Sequence, residues 1–341
     1  MYSAADPTVP STTLPLSGRT VVFLHAHPDD EAIFTGVTMH RLARAGARVV
    51  LVTATAGELG PVLRPLRAGE TLADRRRVEL ERSCAALGVA RLVLLGHRDS
   101  GMSGWDANLH PDALAGVDLA AASRRLAELC AAEGAEALVH YDSDGIYRHP
   151  DHVAVHRIGT AAAALAQVPG YQATVDRDHL SGRGRHLVEV AAASGANGRR
   201  AGPNSRGAGP NDHRADPNDH RAGPNGRHRD LNGSPNGRNG TPNGHSGGSN
   251  GHPSGPNGGP NGGPGGGPGV GRLAGQIGTV VRASAADLAA KRAAMAAHAS
   301  QIPPAALRRR DFAQTYGLEW YVRTGPAGLL DALSARSAVL A

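Results

Sequence analysis

Two short segments concentrate side chains able to do chemistry. One is His25-Ala26-His27-Pro28-Asp29-Asp30-Glu31, and the other runs from Asp142 through Asp144, Gly145, Tyr147, Arg148, His149, Pro150 and Asp151 to His152. Two further clusters, Gly57-Glu58-Leu59-Gly60 and His97-Arg98-Asp99-Ser100-Gly101-Met102, are polar in a similar way. His27 and Asp30 are three apart, and His152 completes a set of two imidazoles and one carboxylate. Such a set leaves a coordination position for water, as a catalytic divalent-metal site requires. Asp29 sits beside a ligand with its side chain turned elsewhere, which makes it the carboxylate to take a proton from that water. A local explanation competes, because Asp and His are also favoured at helix N-termini, where backbone N–H groups need acceptors. The HPDD turn alone leaves it open. A second His-Pro-Asp-His turn in a matching position favours a shared site.

The intervening segments read as the frame that holds these clusters. Residues 19–26 (RTVVFLHA), 47–56 (ARVVLVTATA), 91–96 (RLVLLG), 135–141 (AEALVHY) and 171–176 (YQATVD) are short apolar runs rich in strand formers. Between them lie helical patterns through Val37, His40, Leu42 and Ala43, and over 73–87, 118–133 and 151–167, with Gly88 and Gly134 placed as helix stops. Continuous apolar strands alternating with helices predict βαβ units, hence a Rossmann-like three-layer α/β/α domain with a mostly parallel sheet. Each polar cluster then falls just past the carboxyl end of a strand, the edge at which such sheets bind ligands. Further on, 276–282 (QIGTVVR) predicts a strand, and Ser284 with Asp287 a capping box opening a helix to 299. A strand over 318–323 and a helix near 327–335 complete the reading.

The chain has 341 residues, with 36 Lys and Arg against 30 Asp and Glu, a formal net charge of +6. Lys291 is the single lysine. Residues 194–270 interrupt the alternation with Gly, Pro and Asn and with Pro-Asn pairs at a near seven-residue spacing. That composition cannot bury enough apolar surface to offset the entropy of ordering, so a disordered insert is expected. Its charges are mixed and no aromatic residues interleave, so nucleic acid is not an expected partner. The body is therefore 19–193 with 271–341, one domain, preceded by a flexible N-terminus over 1–18. That terminus lacks the basic region and apolar core of a secretory signal, and no apolar run is long enough to span a membrane. A cytoplasmic location follows, and Cys84 and Cys130 fit it as buried thiols in helical patterns.

Taken together, these motifs resemble the PIG-L/LmbE-like zinc-dependent N-deacetylases, including actinobacterial members of the mycothiol pathway. The resemblance rests on AHPDDE at 26–31, R-x-x-E-L at 76–80, RDSGM at 98–102, GIYRHPDH at 145–152, ATVDRD at 173–178 and KRAAMAAHASQ at 291–301. It implies one Zn2+ per chain, or another divalent ion such as Fe2+, on His27, Asp30 and His152, with Asp29 as general base. It also implies that His149 stabilises the oxyanion or protonates the departing amine, with Asp151 tuning it, and that Tyr147 polarises the amide carbonyl. Arg76 and Asp99 match positions that hold sugar hydroxyls. Arg148 stands where the family often has glycine. The implied activity is removal of an N-acetyl group from an amino-sugar-like small molecule, with amidase action on a mycothiol-type thiol–sugar conjugate as the alternative. A homo-oligomer is compatible with the sequence.

Several neighbours read differently. His156, one turn beyond His152, reads as an ordinary helix residue, because a fourth protein ligand would close the site. His25 reads as a core or supporting histidine, and Glu31 as support for a helix start or a ligand. Glu58 and Gly60 shape the second loop. His298 and Gln301 are placed equally well at an exposed helix end or within reach of the site, and Trp105, Trp320 and Tyr321 in core packing. A dinucleotide-binding protein would need G-x-G-x-x-G after the first strand, where HPDD stands instead. A scaffold acting through the insert would need no intact ligand set.

Overall fold

The first strand, β1 (Thr20–His25), is buried along its whole length, as a strand covered on both faces must be. In the computed structural model, which describes residues 16–182 and 270–334, it is an interior strand, third in a seven-stranded sheet. Its neighbours are β2 (Arg48–Thr55) and β4 (Ala137–Tyr141), both parallel to it, with Val22 opposite Val50 on one side and Leu138 on the other. Outside these lie β3 (Arg91–His97) and β5 (Gly170–Thr174), also parallel. The sheet ends with β7 (Leu318–Thr324) antiparallel to β5, and β6 (Thr279–Arg282) antiparallel to β7. The order is β3-β2-β1-β4-β5-β7-β6. The expected α/β architecture and mostly parallel sheet are therefore observed, with an antiparallel pair at one edge.

The helices are α1 (Asp30–Phe34), α2 (Gly36–Arg44), α3 (Leu72–Leu87), α4 (Leu119–Ala132), α5 (Gly145–Arg148), α6 (Pro150–Ala166), α7 (Arg177–Ser181), α8 (Ala285–Ala297), α9 (Pro304–Leu307) and α10 (Phe312–Tyr316). One group, α2, α3 and α8, packs together, and α4 packs on α6. Thr71 and Asp74 form a reciprocal capping box at the start of α3, and Gly88 closes it in the left-handed conformation at φ 74°. Pro150 opens α6, where its missing N–H costs nothing. The helix expected near 327–335 is a short 3-10 turn, Leu329–Leu333, and the strand expected from 276 begins at Thr279. Gly278 stays outside the strand although its N–H reaches the Tyr321 carbonyl.

Lys291 is fully buried and paired with Glu319 at 2.7 Å. Glu319 also receives the N–H groups of Val37 and Thr38, both at 2.8 Å, so it satisfies the start of α2 from β7. Cys84 and Cys130 are unpaired and buried as expected, and burial pushes the Cys130 thiol up to about 12. Among the described residues no helix is long and apolar enough to cross a membrane. Both described stretches belong to one compact unit; a second, 203–261, lies outside the described residues. So do residues 1–15 of the expected flexible N-terminus over 1–18, and nearly all of the expected insert at 194–270.

Candidate metal centre

The strand order reverses between β1 and β4, and a doubly wound sheet opens a crevice at that point. The turn after β1 carries His27, Asp29 and Asp30, and the turn after β4 carries Tyr147, His149, Asp151 and His152. Parallel pairing of the two strands brings both turns to one edge. There His27 Nδ1 lies 3.4 Å from Asp30 Oδ2, and His152 Nε2 lies 3.3 Å from the same oxygen. Those separations are long for hydrogen bonds. They match the edge of a tetrahedron of ligands around an ion at zinc-like bond lengths, about 3.3–3.4 Å. Donor atoms of His27, Asp30 and His152 all fall within 4.8 Å of one another, and His27, His149 and Asp151 form a second such group. All of these residues are buried. Asp151 Oδ1 and His152 Nδ1 have no hydrogen-bond partner among the described residues, so polar capacity in the site is left unused. The donor set fits a divalent metal.

Surrounding groups fix the rings. His27 Nε2 donates to Asp151 Oδ2 at 3.1 Å, and the same oxygen accepts the Ser100 N–H at 3.0 Å. A carboxylate behind a histidine sets its tautomer and leaves the other nitrogen for a ligand position. Tyr141 stacks on His152 with centroids 4.4 Å apart, and its hydroxyl lies 2.8 Å from His25 Nδ1. His25 is thus a supporting residue; burial holds its pKa down at about 4, so it is neutral. His156 points to the Tyr141 carbonyl at 3.0 Å and stays outside both donor groups.

His149 caps α6, its Nδ1 accepting the Asp151 N–H at 3.2 Å. The proton of the neutral ring is therefore on Nε2. Burial, then the charges of His27 and His152, hold the His149 pKa well below the usual value, and Asp151 opposes this. The Asp151 amide meets His149, while its carboxylate side chain is turned to His27. Tyr147 Oη lies 3.4 Å from His152 Nε2. Burial, followed by the Asp30 charge, keeps its hydroxyl protonated. Its position depends on a kink: Ile146 has φ 64° and Arg148 φ 68°. A β-branched residue there costs on the order of 1–3 kcal/mol. Asp142 holds the turn by accepting the N–H groups of Asp144 and Ile146 at 3.1 and 3.0 Å, and Thr174 fixes its other oxygen. The left-handed backbone at Arg148 also gives a reason for glycine at that position.

Asp29 is buried with φ 119° and ψ −28°, again left-handed. Burial first, offset by Arg76 and reinforced by Asp30, lifts its carboxyl to about 6. For Asp30 burial works the other way from the histidines; the charge of His152 beside it prevails and holds it well below the usual range. Arg76 is 2% exposed, with its NH2 3.4 Å from Asp29 Oδ1. NH1 donates to the Gly57 carbonyl at 2.8 Å and to Gln301 Oε1 at 3.0 Å, NH2 donates to the Pro28 carbonyl, and Nε has no partner among the described residues. A Cβ on Gly57 or Gly60 would meet this guanidinium at 2.5 Å, which explains both glycines in the second loop. Asp99 lies 3.8 Å from His27 and accepts the N–H groups of Leu59 and Gly101, while Glu58 accepts its amide. Trp105 packs over Gly101, and Trp320 and Tyr321 belong to the core.

His298 and Gln301 are not at an exposed helix end: they are 0% and 1% exposed, and they meet Glu31 and Arg76 behind the first turn. His298 Nε2 meets Glu31 Oε1 at 2.6 Å. Ser83 and Tyr141 also support the site, and neither carried a signal in the sequence, since each sits in an ordinary helix or strand pattern.

Residues 22–163 match the model of the PIG-L family, described as GlcNAc-PI de-N-acetylase, and the span contains both His-Pro turns. The chain carries a PIG-L domain. The PIG-L match stops before His298 and Gln301. Among curated proteins, a 1D-myo-inositol 2-acetamido-2-deoxy-alpha-D-glucopyranoside deacetylase of Thermobispora bispora is 43% identical over 166 residues, 46% of this chain and 55% of that protein. The protein of the same description from Thermobifida fusca is 41% identical over 169 residues, 47% of this chain and 59% of its own length. The match thus spans little more than half the length of these relatives. A solved N,N'-diacetylchitobiose deacetylase from Pyrococcus horikoshii is 24% identical, with a TM-score of 0.35 over 44% of this chain and 51% of that one.

Proposed function

We propose that the protein is a zinc-dependent hydrolase that removes the acetyl group from the nitrogen of an amino-sugar-like substrate. The observation that carries this is the convergence of His27 Nδ1, Asp30 Oδ2 and His152 Nε2 at ligand-to-ligand spacing, with Asp29 beside them. The names of the similar curated proteins support the substrate class. When bound to His27, Asp30 and His152, the ion supplies Lewis acidity toward the amide carbonyl and lowers the pKa of the attacking water. Asp29, with a carboxyl at about 6, takes the proton from that water and holds the one the departing amine needs. Neutral His149 offers its Nε2 proton, and Tyr147 its hydroxyl, to the charge developing on the carbonyl oxygen. Asp99 and Arg76 serve as contacts to sugar hydroxyls, and Arg76 also sets the charge beside Asp29. Two buried, unpaired thiols support a cytoplasmic location.

Amine release from a panel of N-acetylated sugars and thiol–sugar conjugates, with and without chelator, tests the proposal. The expected result is deacetylation of a sugar, about one metal ion per chain, and loss of activity on chelation. Full turnover in a verified metal-free preparation would sink the metal-hydrolase reading, and cleavage confined to the conjugates would replace deacetylation by the amidase alternative.

A further inference from the structure

We propose that His298 and Gln301, supplied by the far end of the chain, are positioning residues for Asp29: His298 acts through Glu31 on the Asp29 backbone, and Gln301 acts through Arg76 on its carboxylate. The proposal rests on the reading of Asp29 as the base.

An aspartate at φ 119° returns to ordinary conformations unless something holds it. The Asp29 N–H donates to Glu31 Oε2 at 2.9 Å. The opposite oxygen, Oε1, is fixed by His298 Nε2 at 2.6 Å and by the Ser83 hydroxyl at 2.5 Å. Glu31 is thus a two-ended clamp, one oxygen on the base and one on α3 and the end of α8. The second line is parallel. Arg76 lies 3.4 Å from Asp29 Oδ1, and its orientation is set by the carbonyls of Gly57 and Pro28 and by Gln301 Oε1 at 3.0 Å. Gln301 is itself held, because its Nε2 donates to the Pro61 carbonyl at 2.8 Å and to Ser300 Oγ at 2.9 Å. Ser300 in turn donates its N–H and hydroxyl to Glu79 at 3.0 and 2.6 Å.

A structural explanation alone is poorly matched to this chemistry. His298, Glu31, Arg76, Glu79 and Gln301 are all 3% exposed or less. Burying charged and polar groups at such density is unfavourable compared with apolar packing of the same volume. What the network supplies that apolar packing cannot is direction: both lines end on the two parts of Asp29 that decide where its carboxylate points. A base displaced by about an ångström loses on the order of 10²-fold in rate.

The test uses the full-length chain with His298→Ala, His298→Gln, Gln301→Ala, Asp29→Asn and the combination of Asp29→Asn with His298→Ala. The first readout is hydrogen exchange at the Asp29 amide in the metal-free protein. His298→Ala should expose this amide while β1 stays protected, and His298→Gln, which keeps a donor for Glu31, should restore protection. The second readout is kcat, KM and metal content after loading with zinc alone. His298→Ala and Gln301→Ala should each lower kcat by roughly 10–100-fold with KM and metal content held. Adding His298→Ala to Asp29→Asn should cost nothing further, because the group being positioned is already lost. An Asp29 amide as protected in His298→Ala as in the parent overturns the proposal, and so does an additive loss in the combined variant. Should His298→Ala fail to fold, His298→Gln and Gln301→Ala decide it: parental kcat in Gln301→Ala together with unprotected Asp29 in His298→Gln counts against it. If the parent chain releases no amine from any acetylated sugar, the deacetylase reading fails by itself, and the exchange result still decides the positioning.

Discussion

At the scale of single residues the site turns on two adjacent carboxylates that differ in kind. Asp30 shares one oxygen between His27 and His152, and those contacts hold it ionised. Asp29 is turned away by its left-handed backbone and meets Arg76 instead. Asp30→Ala is therefore expected to lose metal affinity, and activity with it. Asp29→Ala is expected to retain about one ion per chain and to lose ~10²–10⁴-fold in kcat, the usual share of a general base. Metal content and kcat on both purified variants separate the cases. A metal-free Asp29→Ala beside a metal-loaded Asp30→Ala would reverse the assignment. The two turns were legible in the sequence because each packs its reactive groups into a few consecutive residues after an apolar strand. The direction of Asp29 was not, since nothing in HPDD specifies φ 119°; the conformation is imposed by Glu31 and Arg76.

At the scale of elements, legibility follows how local the cause is. The capping box of α8 is visible as Ser284 with Asp287, because donor and acceptor are three residues apart. The kink over Ile146 and Tyr147 is not visible, because it depends on Asp142 and on Thr174 from another strand. The same contrast makes Asp287 a useful probe. Besides its cap, it receives His40 Nδ1 at 2.9 Å and Arg41 Nε at 3.2 Å, so it ties α8 to α2. Burial opposes its charge, but hydrogen bonds from Arg41, Ser284 and His40 prevail and lower its pKa to about 2. A carboxyl lowered on folding contributes stability that is present above its unfolded value, near 4, and is lost as pH falls through about 2. Asp287→Asn should accordingly be less stable than the parent by about 1–2 kcal/mol at pH 7. Denaturant melts at pH 7, 4 and 3 should show that gap narrowing as the pH drops. A gap that is constant or grows on acidification would mean that the carboxylate charge is not what joins the two helices.

At the scale of the whole molecule, the question is what the long Gly, Pro and Asn tract does to a domain assembled from pieces on either side of it. The described chain closes on itself beside the tract: the Arg177 N–H reaches the Arg272 carbonyl, and the Arg272 N–H reaches the Val175 carbonyl, both at 2.9 Å. Arg272 also lies 3.7 Å from both Asp142 and Asp144 in the turn that leads to Tyr147. Contacts of the folded domain therefore fix the two flanks near one another, whatever joins them. For a connection whose ends are held in this way, the entropy of closure depends only on the logarithm of its length, with each doubling costing about 0.6 kcal/mol. Replacing residues 194–270 by a short Gly-Ser linker should thus leave the fold intact and change its stability by no more than about 2 kcal/mol, in the direction of stabilisation. Turnover should stay within a few-fold of the parent, because the donors of the candidate metal centre and the members of the Glu31–His298 network found among the described residues all lie outside the replaced stretch. Circular dichroism melts and steady-state kinetics on the deletion variant measure both quantities. A folded variant with kcat reduced tenfold or more at unchanged metal content would show that the tract acts on the site, and Arg272 would then be the first contact to examine as the route.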